Sequence, residues 1–333
     1  MRKVLILFLL SLIFLFACSK QHEDLYTIGI FQVNDAPHLD EVRKGFISAL
    51  ENSGLRDGEN IRLNIKNGKG NIREVQQIAQ EFVTEKVDMI VALSTPCLQA
   101  ALIATHEIPI IFSSVADPYI AGAGKSADDH LSTVTGVCSR GPIKESLEFI
   151  KEILPGVKRL GTLWTPAEIN SQFYFELARD RARELDLEMV DVPIANKSQV
   201  LHSAQVLINK KIDAIYQISD NTINASFQAL GNVAEENIMP LFGGFLLSTY
   251  SGACAALGWD FFEMGQKTGE IALRIKNGES PANIPIQYMS KVRMHLNLKA
   301  AEKQGVGFSD QILKRADEVF NADKSSQDHS NTL

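Results

Sequence analysis

The chain repeats itself. Asn71, Val75 and Ala79 return as Asn196, Val200 and Ala204, and Lys86-Val87-Asp88 returns as Lys211-Ile212-Asp213. Ile90 and Ser94 return as Ile215 and Ser219, every pair 125 positions apart, while Ile108-Pro109 matches Met239-Pro240 at 131. Any two βα units look broadly alike, but a shared Asn, a shared Lys-(Val/Ile)-Asp and a constant offset point to duplication. A duplicated chain is confined to folds built from two similar halves. In the first half, hydrophobic periodicity predicts a strand over 26–31 and a helix over 39–53 with Val42, Phe46, Ala49 and Leu50 on one face. A strand over 61–65, a helix over 72–85 and continuous apolar strands over 88–93 and 108–112 follow. The second half predicts strands over 160–164, 187–192, 214–218 and 240–242, with helices over 171–185, 198–209 and 221–237. Continuous apolar strands alternating with helices mean parallel sheets covered on both faces. The fold class is therefore α/β, with two doubly wound parallel-sheet lobes. A third segment adds a strand over 253–257, a helix over 261–276 and an extended stretch over 286–298. Terminal helices over 300–305 and 310–319 and a polar tail over 321–333 complete the chain.

The first residues read as an address. Arg2 and Lys3 precede an apolar run from Val4 to Ala17, interrupted only by Ser11. Fourteen residues is short for a membrane span and suits a signal peptide over 1–17. Leu15-Phe16-Ala17-Cys18 resembles a bacterial lipobox, although Phe16 is bulkier than the usual occupant of its position. Cys18 would then carry acyl chains such as palmitate and become the new N-terminus, with 18–24 as a polar tether. That places the body outside the cytoplasm, anchored to a bacterial membrane by its lipid. A plain secretion signal with a coincidental Cys is the alternative.

Composition excludes several classes. The chain is 45% hydrophobic and 22% charged, an ordinary globular balance, and its net charge of -7 lacks the basic field that nucleic acid attracts. Cys97, Cys138 and Cys254 match no metal spacing, and they are either one disulfide plus a free thiol or three buried small residues. No metal site, cofactor motif or catalytic set stands out, so no enzyme is expected. The first βα connection over 32–38 holds Pro37 and no Gly, which disfavours a dinucleotide fold.

In a parallel α/β sheet, ligands gather at the carboxyl ends of strands. Those ends carry Phe31 and Gln32, Ser94-Thr95-Pro96, Phe112-Ser113-Ser114, Trp164-Thr165-Pro166, Ser219-Asp220-Asn221 and Gly243-Gly244. Thr95-Pro96, Asn170-Ser171 and Asp220-Asn221 read as helix N-termini, whose free N–H groups favour an anion such as a carboxylate. Each pair read alone is an ordinary cap. Asp220 replaces the Thr95 of the first repeat, and its carboxylate either caps its helix or holds an ammonium. An ammonium there and donors opposite would suit an α-amino acid. Phe31, Trp164 and Phe112 either enclose an apolar ligand side chain or pack the core.

The combination of stretches identifies a resemblance. PHLDEVRKGFISAL (37–50), EKVDMIVALSTPCLQAAL (85–102), IPIIFSSVADP (108–118), TVTGV (133–137), PAEINS (166–171), DAIYQISDNTI (213–223) and GWDFFEMGQKTGEIALRIKNGESPANIPI (258–286) resemble the ABC-transporter substrate-binding lipoproteins of the tryptophan/tyrosine type. The resemblance runs from about residue 26 to 305. It implies the periplasmic-binding-protein type I fold, two lobes joined by a three-crossing hinge that closes on a ligand. Lobe one would be 25–136 plus 253–280 and lobe two 137–252 plus 281–298, with crossings near 135–138, 250–253 and 279–285. The family implies an aromatic or apolar amino acid as ligand, an ABC permease and its ATPase as partners, and a monomer. A ligand-sensing receptor without transport, or a nucleoside or other small solute, are the alternatives. By similarity Asp220 matches the ammonium position, and Thr95, Asn170 and Ser171 match positions near the carboxylate. The full candidate set is Phe31, Gln32, Thr95, Ser113, Trp164, Asn170, Ser171, Asp220, Asn221 and Gly244. The chain departs from the family pattern at NDAPH (34–38), where an acidic–His–Pro–Ala run is more usual, and at Thr165-Pro166, where Asn-Pro is commoner.

Overall fold

The computed structural model describes residues 25–321. The leader over 1–17, Cys18 with its tether, and all of the polar tail beyond 321 lie outside the described residues. Among the described residues, no helix is long and apolar enough to cross a membrane.

The chain begins with β1 (Tyr26–Gln32), α1 (Pro37–Asn52), β2 (Ile61–Asn67), α2 (Ile72–Thr84), β3 (Met89–Leu93), α3 (Thr95–Ala104), β4 (Ile110–Val115) and β5 (Val134–Cys138). It then crosses to a second lobe, α4 (Ile143–Ile153), β6 (Arg159–Trp164), α5 (Ile169–Glu184), β7 (Glu188–Pro193), α6 (Val200–Ile208) and β8 (Ala214–Gln217). That lobe continues with α7 (Asn221–Asn224), α8 (Phe227–Glu236), β9 (Leu241–Gly243) and β10 (Ala255–Gly258). The chain returns to the first lobe for α9 (Phe261–Lys276) and β11 (Gln287–Tyr288). It ends on the second with β12 (Arg293–Asn297), α10 (Leu298–Lys303), α11 (Asp310–Arg315) and β13 (Glu318–Phe320).

The duplication is written into the strand order. The first sheet runs β11-β5-β4-β3-β1-β2 and the second β13-β12-β10-β9-β8-β6-β7. Without their added edges, the two sheets have the same order. All pairings are parallel except β10 with β12. The repeated residues have repeated duties. Asn71 accepts a hydrogen bond from Arg73 N at 3.0 Å and Asn196 from Ser198 N at 3.1 Å, each capping a helical turn. Lys86 and Lys211 both take left-handed backbone, with φ of 54° and 59°, to leave their helices. Asp88 accepts from Thr27 N at 2.7 Å and Asp213 from Arg159 N at 2.8 Å, tying each third strand to the first strand of its lobe.

Three expectations need correction. The strand 255–258 belongs to the second sheet, between β9 and β12, and 287–288 belongs to the first, beside β5. The crossings therefore fall near 139–142, 259–260 and 289–292 rather than at the last two expected places. Symmetry is the reason, because β10 is the repeat mate of β5 and completes its own lobe before the chain leaves. The helix expected over 221–237 breaks after Asn224, whose amide donates to Ser219 Oγ at 3.3 Å instead of facing water. The helix expected over 310–319 stops at Arg315, and Glu318–Phe320 pairs with β12, with the Phe320 ring stacked on Tyr250 at 4.9 Å. Strand β5 and helix α4 have no counterpart in the expected set. Cys97, Cys138 and Cys254 are separate buried thiols, which settles the disulfide question for them.

Glycines set how closely α9 seats on α1. A β-carbon on Gly45 would lie 2.1 Å from the Phe262 carbonyl oxygen, and one on Gly265 would lie 2.1 Å from that of Val42. Gly269 meets Ala49 in the same row. Buried Val42, Phe46 and Ala49 pack around this crossing. A β-carbon here must push the helices apart, and overpacking costs about 1–3 kcal/mol. Gly265→Val should therefore lower the unfolding free energy by that amount, read as a lower denaturant midpoint, whereas the same change at exposed Gly156, with nothing within 4 Å, should leave it nearly unchanged.

Candidate ligand-binding cleft

A narrow cavity of about 20 Å³ lies between the lobes. Lobe one contributes His38, Thr95 and Ser114, and lobe two contributes Asn170, Tyr174, Ser219, Asn221, Gly244 and Phe245. Gly141 of the first crossing, with Trp259 and Phe261 around the second, closes the remaining side. The lobes touch across it. The Asn34 amide of lobe one donates to the Asn221 carbonyl at 2.9 Å, and the Trp259 indole donates to the Arg140 carbonyl at 3.0 Å.

The wall from lobe one is donor-rich. Ser94 ends β3 with φ of 114°, which turns the chain sharply into α3. No side chain caps α3, so its first N–H groups keep their capacity. Thr95 Oγ1 lines the cavity, is buried and lacks any partner. This orphaned hydroxyl beside an uncapped helix start forms the positive end of the cavity.

The wall from lobe two is acidic. Glu168 stands at the start of α5 but caps α7 instead of its own helix. It accepts from Asn221 N at 3.3 Å, Asn221 Nδ2 at 2.8 Å, Thr222 N at 3.2 Å and Thr222 Oγ1 at 2.6 Å. Asp220 completes that cap, accepting from Ile223 N at 2.8 Å, and also accepts from Thr165 N at 3.0 Å. Its carboxyl is fully buried and pushed up to about 7, first by burial and then by the charge of Glu168. Hydrogen bonds from Ser171, Ile223 and Thr165 pull the other way. Asn170 Nδ2 donates to Glu168 Oε2 at 3.2 Å, which leaves Asn170 Oδ1 buried and without a partner. An acceptor is thus the free group of Asn170.

The aromatic wall joins both lobes. The His38 imidazole packs at 5.5 Å from the Phe245 ring and 5.3 Å from the Phe261 ring. Burial pushes its pKa down to about 3, so it is neutral at physiological pH. Tyr174 is fixed by its hydroxyl, which donates to the Ser139 carbonyl at 2.8 Å.

Of the residues singled out from the sequence, the structure brings Thr95, Asn170, Asn221 and Gly244 to the cavity. Gly244 fits because a β-carbon there would lie 2.9 Å from the Gln217 carbonyl oxygen. The others stand elsewhere. Phe31 packs edge-on against Phe82 at 5.6 Å in the core, where Phe112 is also fully buried. Trp164 stacks on Phe175 at 4.7 Å and donates to Asp191 at 2.7 Å. Gln32 braces the loop after β1 through the Asn34 carbonyl and Asp40, and Ser113 Oγ accepts from Thr268 of α9 at 2.8 Å. Ser171 and Asp220 sit behind the lining, with Ser171 Oγ accepting from Thr165 N at 2.8 Å.

His38, Glu168, Tyr174 and Trp259 are absent from the sequence-derived set. Two signals pointed toward them. Tyr174 follows Asn170 by four positions, one helical turn, and His38 lies in the NDAPH run where the chain departs from the family pattern.

Residues 27–320 match the family described as ABC transporter substrate binding protein. A tyrosine-binding protein from Clostridioides difficile (strain R20291) is 36% identical over 280 residues, which is 83% of this chain and 81% of that one. A solved ABC domain in complex with L-Trp from Streptococcus pneumonia superposes with a TM-score of 0.85 at 26% identity, covering 89% of this chain and all of that one. The ligand-free, open form of a Clostridium difficile substrate-binding protein with adhesive properties is 30% identical, yet its TM-score is 0.67, with 90% of this chain and all of that one covered. Two α/β lobes, a cleft between them and these matches have one meaning: the chain belongs to the ABC transporter substrate-binding protein family, whose members work outside the cytoplasm.

Proposed function

We propose that this protein is the solute receptor of an ABC importer and that it captures an aromatic amino acid as a zwitterion. The observation that carries the reading is the polarity of the cavity. The orphaned Thr95 hydroxyl at the uncapped start of α3 faces an acidic wall that ends in the free acceptor Asn170 Oδ1. A carboxylate fits the first wall and an ammonium the second. Asn170 thereby moves from the carboxylate side, where the resemblance put it, to the ammonium side. Asp220 and Glu168 act from behind the lining, as charge. Tyr174, Phe245, Trp259 and Phe261 supply the apolar enclosure for a ring. The named ligands of the tyrosine-binding relative and of the L-Trp complex support the same class.

A ligand that bridges both walls binds the closed form better than the open one, which is the differential affinity that closure needs. The closed receptor then docks on its permease, with an ATPase behind it, and releases its cargo unchanged. In this reading the receptor is a monomer without enzymatic activity. Cys18 carries the lipid that keeps it at the membrane surface.

Titration calorimetry on protein stripped of ligand by unfolding and refolding tests this. Tryptophan, tyrosine or phenylalanine should bind one to one and saturably. Tryptamine and indole-3-propionate each lack one charge and should bind about 10-fold to 100-fold more weakly than tryptophan. Absence of saturable binding by any of the amino acids, or tryptamine binding as well as tryptophan, would overturn the reading.

The acidic wall adds a pH signature. An ammonium beside Asp220 favours its ionised form, so binding releases a proton and affinity should rise with pH up to about 7 and then level. Below that the fall is at most about tenfold per pH unit for one group, and Asp220→Asn should flatten it. The ligand-free protein should show the opposite trend. Its carboxyl is raised from 3.8 to about 7 on folding, so the folded chain holds a proton that the unfolded chain has released. Ionising it therefore costs stability as pH rises between those values, which thermal melts of wild type against Asp220→Asn will reveal.

A further inference from the structure

We propose that His38 sets the side-chain preference of the cleft. It selects an aromatic ring that bears a hydroxyl or an N–H, as in tyrosine or tryptophan, over the bare ring of phenylalanine. The inference rests on the aromatic amino acid reading above and names the residue that divides that class.

His38 occupies the first turn of α1, just after Pro37, and is 2% exposed. Its ring is held between Phe245 of lobe two and Phe261 of α9, and both of those residues also line the cavity. Its Nδ1 is buried and has no partner. A neutral imidazole carries one N–H donor and one acceptor nitrogen. A polar atom buried without a partner is costly, and the rings of Phe245 and Phe261 packed against this imidazole offer it no hydrogen bond. Among the described residues no protein group supplies that bond. A ligand that places a hydroxyl or N–H at the end of an aromatic ring supplies it. Phenylalanine would fill the same space and leave the imidazole unsatisfied, which is how a polar site rejects an apolar isostere.

The position also explains why the zwitterion reading and the ring reading do not compete for this residue. Thr95 and Asn170 have their own orphaned oxygens for the charged end of the ligand. His38 faces aromatic neighbours on both sides and has no charged residue among its ring contacts.

The test is competitive calorimetry of tyrosine, tryptophan, phenylalanine and 4-fluorophenylalanine on wild-type protein and on His38→Leu. On the wild type, the tighter of tyrosine and tryptophan should exceed phenylalanine by about tenfold or more. 4-Fluorophenylalanine fills the tyrosine space without donating a hydrogen bond and should group with phenylalanine. In His38→Leu the ratio should collapse to within about threefold, mainly through loss of the polar ligand, with phenylalanine affinity held or improved. Wild-type protein that binds phenylalanine as tightly as tyrosine and tryptophan overturns the role of His38 and leaves the amino-acid reading standing. A ratio that survives in His38→Leu does the same. Failure of every aromatic amino acid to bind removes both. The wild-type comparison needs no variant, so a poorly folding His38→Leu would not shelter the proposal.

Discussion

The glycines of α1 and α9 let two helices that are distant in sequence approach until a β-carbon of one would collide with a backbone carbonyl of the other. Both helices begin at the cleft. His38 lies in the first turn of α1 and Phe261 opens α9, so the helix contact fixes their rings 5.3 Å apart. The same contact fastens to lobe one a segment that arrives only after lobe two has been built. The aromatic wall and the return crossing therefore depend on one close approach. Bulk at Gly45 or Gly265 would tilt α9 and carry Phe261 with it.

Lobe two holds the opposite kind of feature. Two carboxylates converge on a helix of four residues, where Glu168 reaches across from α5 to Asn221 and Thr222, and Asp220 caps Ile223 from within. The short helix gains a strong cap at the expense of a buried like-charge pair. Hydrogen bonds from Thr222, Asn221, Thr165 and Ile223 make the arrangement tolerable, while burial, and after it repulsion from Glu168, pushes the Asp220 carboxyl well above the usual carboxylate range. A positive group at the cavity would relieve that repulsion, which is the electrostatic basis of the proposed ammonium site.

The large-scale plan was legible in the sequence because its signals are periodic or repeated. Asn71 with Asn196 and Lys86 with Lys211 do the same backbone job in each half, and the spacing between them measures the lobe. The strand expected over 253–257 in lobe one belongs to lobe two as β10, and the repeat contains the reason, since a fifth strand closes each half before the chain departs. The cleft was only partly legible. Thr95, Asn221 and Gly244 follow from where strands end, but that rule does not tell a lining residue from the one behind it. Phe31 and Gln32 end a strand at the cleft and still face inward or brace a loop. Trp164 turns to Phe175 and Asp191 because a strand's side chains alternate between faces. Glu168 and His38 act through contacts made across elements, with Asn221 in one case and Phe245 in the other, and no local pattern encodes such contacts.

The chain has two tryptophans, and the fold has separated their environments. Trp164 is stacked on Phe175 on lobe two, bonded to Asp191, and away from the cavity. Trp259 lines the cavity at the second crossing and bonds to the Arg140 carbonyl at the first, so it straddles the two segments on which the lobes swing. The molecule thus contains its own optical gauge. Emission from Trp259 should follow the opening and closing of the lobes, with emission from Trp164 constant as an internal standard. Removing Trp164 by substitution would leave a single tryptophan, at the hinge, with no dye attached.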